Sequence, residues 1–248
     1  LKSKCLRSMM WMLLLAGILS PGVHAATIGL DTVVAALQKP FRTTGKQNRI
    51  YDFQAEFSQE AYLSSLDQMQ TASGTVMVKF ADGKLPVARF RWEYLQPDPQ
   101  LIVSDGKTVR VYIPENRQMI ESPMPADDRA GTDNPLAFLT DLGNLSRQFT
   151  IAWGDPRRSP EGHYRLLLRP RQPSAYLEQL IIEVDGDAVA GKPGYPVRAA
   201  TLFGASDNRT TVRFSKPRIN QGPDDALFRF KPPAGTEILR PGESGAVR

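Results

Sequence analysis

Few residues of this 248-residue chain offer reactive chemistry, and their spacing narrows the choice further. The chain has two histidines and one cysteine, and His24 and Cys5 both fall in an N-terminal apolar segment. That leaves His163, in the turn-like Pro160-Glu161-Gly162-His163. No G-x-S-x-G elbow surrounds any serine, so a serine nucleophile would have to use His163 without the turn that normally presents it. A zinc cage needs three or four Cys, His or carboxylate ligands, and one histidine with no cysteine supplies too few. Asp185-Gly186-Asp187 is half a calcium loop without its later ligands, and a hairpin turn is the simpler reading. No Gly-rich phosphate loop or dinucleotide fingerprint occurs. Asn144-Leu145-Ser146 and Asn208-Arg209-Thr210 fit the glycosylation pattern and are read as chance matches. Carboxylates are plentiful, but no pair is singled out for hydrolytic work. No metal and no cofactor is expected. A hydrolase working through His163 or an acid pair is the alternative from a different class.

The distinctive constellation is aromatic. Arg89-Phe90-Arg91-Trp92-Glu93-Tyr94 alternates without a break, placing Phe90, Trp92 and Tyr94 on one face of a strand and three charges on the other. Val109, Val111 and Ile113 form a matching face on a later strand. A packed sandwich core fits this pattern. So does a sheet whose apolar face lines a cavity for a greasy ligand.

These residues need a β-rich frame, and the chain supplies one. Residues 27–40 read as a short amphipathic helix, with Leu30, Val33, Val34 and Leu37 at helical spacing and Pro40 as its stop. Period two then takes over in residues 51–59, 74–80 and 89–94. Leu101-Ile102-Val103 and the run 108–113 make a hairpin with Asp105-Gly106 at its tip. Asp133-Asn134-Pro135 is a helix start, followed by Leu136, Leu139 and Leu142 on one stripe, Phe138 beside it, and Gly143 as the end. Strands resume at 149–153, 164–169, 177–184, 197–203, 210–214 and 228–230. About eleven strands and two short helices at these spacings predict a mainly β sandwich or barrel. Helices that do not alternate with strands argue against a doubly wound fold.

Lys2, Lys4 and Arg7, the apolar run from Met9 to Leu19, Ser20-Pro21-Gly22 and Val23-His24-Ala25 follow the plan of a secretory signal peptide. The run is too short to span a bilayer, which takes roughly 20 apolar residues. The expectation is cleavage after Ala25, giving residues 26–248 as a single domain with a frayed tail over 240–248. Removing three basic residues from 31 leaves 28 against 26 acidic ones, so the net charge falls from +5 to +2. Nucleic acid is not an expected partner. Without a cysteine the exported protein has no disulfide, and periplasmic localisation is expected.

Four stretches carry a family resemblance. The first is Phe53-x-x-x-Phe57-x-Gln59. The second is Phe90-Arg91-Trp92-Glu93-Tyr94 with Pro97. The third is Gln100 to Thr108 with Tyr112-Ile113-Pro114. The last is Phe228-Arg229-Phe230-Lys231-Pro232-Pro233-Ala234-Gly235. In this order they resemble the periplasmic outer-membrane lipoprotein carriers of the LolA family. The resemblance implies an unclosed, curved antiparallel β-barrel with a lid of short α-helices, enclosing a hollow for acyl chains. It implies a monomeric, non-enzymatic carrier that takes acylated lipoproteins from an inner-membrane ABC release complex to an outer-membrane acceptor lipoprotein. Phe90 and Trp92 match the family's aromatic pair on the cavity strand, Tyr94 shares their face, and Leu101, Val103, Val109 and Val111 should continue the surface. The lid would comprise Leu30, Val33 and Leu37 with Leu136, Phe138, Leu139 and Leu142. The family usually places a lid-latching basic residue directly before the proline preceding the aromatic strand. Here Leu85 precedes Pro86, and Arg89 or Arg91 is the candidate replacement. A lipid or glycolipid shuttle for a specialised pathway, or a periplasmic lipoprotein-sensing module, are the alternatives within the same fold.

Overall fold

The computed structural model describes residues 28–42, 48–82, 87–124, 137–174 and 177–241. The leader (1–25), Leu136 and the Lys84-Leu85-Pro86 stretch lie outside the described residues, as do positions 242–248 of the expected tail. Among the described residues, no helix is long and apolar enough to cross a membrane.

Helix α1 (Leu30–Gln38) runs into a 3-10 turn, Lys39–Phe41, with Pro40 near its start. Proline lacks the N–H that the next helical bond would use, so the α-helix ends there. Six strands follow: β1 (Asp52–Leu63), β2 (Gln68–Lys79), β3 (Arg89–Gln96), β4 (Gln100–Ser104), β5 (Thr108–Ile113) and β6 (Gln118–Pro123). The middle segment has two 3-10 turns, Ala137–Thr140 and Leu142–Asn144, and the one-turn helix α2 (Leu145–Gln148). Then come β7 (Phe149–Arg158), β8 (Tyr164–Pro170), β9 (Gln179–Val184), the short helix α3 (Gly186–Val189), β10 (Val197–Phe203), β11 (Arg209–Ile219) and β12 (Glu237–Leu239).

All twelve strands join one sheet in the order β12-β6-β5-β4-β3-β2-β1-β11-β10-β9-β8-β7. Neighbours are antiparallel, except that β12 lies parallel to β6. The edge strands β12 and β7 do not pair with each other, so the barrel is unclosed, as expected. Strand β1 is central because its alternation serves two long partners. Phe53 and Phe57 turn to the core while Glu56 and Ser58 stay exposed, and the strand pairs with β2 on one side and β11 on the other. Gly74 sits opposite both Phe57 and Tyr94, where an added Cβ would lie 1.8 Å from the Glu93 carbonyl oxygen. Only glycine lets the β2 and β3 backbones approach that closely.

Several local expectations need correction. The twelve strands among the described residues agree with the expected count of about eleven, but their places differ in part. The structure adds β6 and β12, and it has no strand at 228–230, where a 3-10 turn (Asp225–Phe228) runs into extended chain. Gly143 does not end a helix. It lies inside a 3-10 turn, and an added Cβ there would come within 3.2 Å of the Phe41 backbone. Asp185 to Asp187 is not a hairpin turn. The Asp185 carboxylate accepts from the Asp187 N–H at 3.1 Å and so caps α3.

Candidate functional site

The two faces of the sheet have different coverings. On the concave face, Phe53, Phe57, Val76, Val78, Phe90 and Trp92 share one cluster with Leu166, Leu168, Leu180, Ile182 and Val212 from the other half of the sheet. Trp92 meets Phe57 edge-on at 4.8 Å, and Phe57 meets Tyr94 at 5.0 Å. Tyr94 is partly buried against the cluster, and its hydroxyl donates to the Gln59 side chain at 3.1 Å. Val109 also packs against it, and Val111 faces the same way further out, since its partner Ile102 stands opposite Trp92.

The helical layer closes over this face. Val33, Leu37, Phe138, Leu139, Leu142 and Leu145 are all buried in the same cluster, and Leu30 packs against it. Two polar links fasten the layer together. Buried Gln38 donates through Nε2 to Ser146 Oγ at 2.7 Å and accepts from the Ser146 N–H at 3.4 Å. Arg42 Nε donates to the Gly143 carbonyl at 3.4 Å. Helix side chains therefore fill the space over the aromatics, and open clefts lie at the layer's margins. One of about 230 Å³ is lined by Phe41, Phe80, Leu142 and Gly143, and one of about 770 Å³ lies between α1 and the chain after α3.

Leu101 and Val103 are not part of this surface. The register sets them opposite Glu93 and Arg91, on the convex face, one residue out of phase with Ile102. Because Leu101-Ile102-Val103 is apolar at every position, its pattern fits either face. Both residues are nonetheless buried, because the C-terminal chain crosses the convex face there. Phe228 is fully buried, Phe230 packs on Tyr112 at 5.1 Å, and Tyr112 stands opposite Leu101.

Arg89 and Arg91 are likewise not placed to hold the helical layer. Arg89 Nη1 pairs with Asp225 Oδ2 at 2.6 Å, and Lys79 Nζ pairs with the other oxygen at 2.6 Å. Arg91 is ion-paired to Glu93 and donates to the Leu227 carbonyl at 3.1 Å. Both arginines clasp the C-terminal crossing on the convex side. Hydrogen bonds from Lys79 and then Arg89 hold the Asp225 carboxyl well below its ordinary value, to about 2. A groove of about 890 Å³ lies beside this clasp, bordered by Glu56, Met77, Arg91 and Arg218.

His163 Nδ1 lies 3.7 Å from Asp185 Oδ1. That carboxylate is already engaged by Arg198 at 2.5 Å and by the α3 cap. Ser159 Oγ accepts from the His163 backbone N–H at 3.3 Å, not from the ring. The cluster ties the β7–β8 turn to the end of β9.

Sequence reasoning missed Phe41, Leu145, Tyr195 and Phe214, all in the concave cluster. Phe214 was legible from the alternation of β11. Tyr195 lies in Pro193-Gly194-Tyr195-Pro196, a loop composition that carries no periodic signal.

Comparison with known proteins fits this arrangement. Residues 48–231 match the family model described as outer membrane lipoprotein carrier protein LolA. The chain belongs to the LolA family. Among the family's curated members, the outer-membrane lipoprotein carrier protein of Dechloromonas aromatica is 29% identical over 217 residues, covering 85% of this chain and 95% of that one. The protein of the same name from Alcanivorax borkumensis is 33% identical over 171 residues, covering 68% and 75%. A LolA superfamily crystal structure from Nitrosomonas europaea aligns with 82% of this chain and 99% of its own, at 11% identity and a TM-score of 0.41.

Proposed function

We propose that this protein is a periplasmic, non-enzymatic carrier that takes the acyl chains of a lipoprotein between its concave sheet and its helical layer. It would move them from an inner-membrane ABC release complex to an outer-membrane acceptor. The observation that carries this reading is the cover itself. Six buried helix side chains lie on an aromatic sheet face and are held to one another by only a few polar links.

The magnitudes support a displaceable cover. Burying one aliphatic or aromatic side chain is worth roughly 1.5–3 kcal/mol, so six contribute roughly 9–18 kcal/mol of gross burial. One acyl chain of about sixteen carbons brings about 12 kcal/mol at 0.8 kcal/mol per methylene. Cover and cargo are therefore near-equal competitors for the same surface. That balance suits a protein that must both accept a chain and give it up. Export through the N-terminal leader would place the carrier in the periplasm, where a lipid-anchored protein needs such shelter to cross water.

The test is solubilisation. Purified protein incubated with a triacylated lipoprotein should yield a soluble complex by gel filtration. The Phe138→Glu variant, with a charge in the apolar layer, should keep its β-sheet circular dichroism and yield none. A lipoprotein that stays aggregated with the wild-type protein refutes the proposal.

A further inference from the structure

Tyr195 stands in the connection between α3 and β10 and is 2% exposed. Its ring stacks on Phe53 with centroids 3.6 Å apart and planes at 12°, and it meets Phe41 and Phe214 edge-on at 6.1 Å each. These neighbours account for the ring. They do not account for the hydroxyl, which has no hydrogen-bond partner among the described residues. Phenylalanine would make the same stacking contacts without burying a polar group unpaired, and a buried polar group without a partner is destabilising. Burial also pushes the phenol pKa far above its ordinary value, so the group stays a neutral donor.

The position of Tyr195 connects it to the helical layer. Phe41, packed on its edge, belongs to the turn that continues α1. Through Phe41, the segment that continues α1 covers one edge of the Tyr195 ring. Gly194, the residue just before it, lines the open cleft between α1 and the chain after α3, along with Ala35, Ile50 and Val189. A desolvated donor thus sits one residue from the wall of a cleft whose lining is mixed, with Lys39, Arg49 and Lys192 beside the apolar residues.

We infer that the Tyr195 hydroxyl is the polar anchor of the acyl site, donating a hydrogen bond to the ester or amide carbonyl at the base of a bound acyl chain. This inference rests on the carrier reading. An acyl linkage ends its apolar chain in one strong acceptor, and sheltering the chain buries that acceptor too. A donor that is already dry pairs with it at no further dehydration cost. The chains would then lie inward against the apolar cluster, and the linked polypeptide outward along the cleft's polar lining. A site built this way also discriminates against apolar molecules that lack the acceptor.

Tyr195→Phe tests the inference with two fluorescent titrations, one of N-phenyl-1-naphthylamine, which has no carbonyl, and one of a synthetic tripalmitoylated cysteinyl lipopeptide. The variant should bind the naphthylamine as the wild type does and the lipopeptide about five- to tenfold more weakly. Its melting temperature should be no lower, since the empty protein loses no hydrogen bond. Equal lipopeptide affinity in both proteins overturns the inference and leaves the carrier reading intact. A parallel loss for both probes overturns it, as does a lower melting temperature, which would mean the hydroxyl is already partnered in the empty protein. Failure of the wild type to bind either probe removes the carrier reading and the inference together.

Discussion

Gln38 offers the sharpest test of whether the helical layer is a lid. It is 1% exposed and exchanges two hydrogen bonds with Ser146, at 2.7 and 3.4 Å, across the seam between α1 and α2. Replacing it by methionine keeps the side chain's length and removes both bonds. A neutral hydrogen bond contributes a net of about 0.5–1.5 kcal/mol, and the 3.4 Å bond lies near the lower end. The closed layer should lose about 1.5 kcal/mol, roughly a tenfold shift toward opening. In a domain of this size that lowers the melting temperature by roughly 3–6 °C. If acyl chains bind only the open form, apparent affinity scales with the open population. Gln38→Met should therefore bind a fluorescent fatty acid up to about tenfold more tightly while melting earlier. Paired fluorescence titration and calorimetry read both quantities. A variant that melts earlier but binds no better, or binds worse, refutes the lid argument, because then the layer is simply core.

Two further expectations concern the frame. Asp225→Asn should erase an acid-dependent component of stability. Its folded pKa is depressed, so the carboxylate's contribution is present above its unfolded value of about 3.9 and lost as pH falls through about 2. Wild type and variant should therefore differ at neutral pH, by less than about 1 kcal/mol because the group is half-exposed, and converge in melts near pH 2. Gly74→Ala should cost more than about 3 kcal/mol in urea unfolding, because its Cβ would meet the Glu93 carbonyl oxygen at 1.8 Å in the middle of the sheet; a loss below 1 kcal/mol would show that β2 and β3 shift apart easily.

How far the sequence reaches depends on contrast. Phe90, Trp92 and Tyr94 were legible because charges occupy every alternate position, leaving one choice of face. Leu101 and Val103 were misplaced because Ile102 between them is equally apolar, so the run itself does not choose. The choice comes from Phe228 and Phe230, more than a hundred residues away, which cover the convex side. The run from Leu136 to Leu142 reads as one helix because its leucines keep helical spacing. In the structure the segment is two 3-10 turns and α2, with Gly143 packed against the Phe41 backbone, a contact that no local pattern records. Strand β12 is three residues long and exists by pairing with β6, so it has no periodicity of its own to detect. Arg89 and Arg91 read as latch candidates on the charged face of their strand, and only the position of Asp225 and Leu227 shows what they grip.

The unpaired edges of the sheet have a mechanical consequence. A closed barrel has its girth set by strand number and stagger, and it can widen only by tearing a ladder. Here β7 and β12 end the sheet without meeting, so the two halves can splay about β1 with every rung intact. If the protein carries acyl chains as proposed, its capacity would be elastic, with one chain or several housed by bending alone.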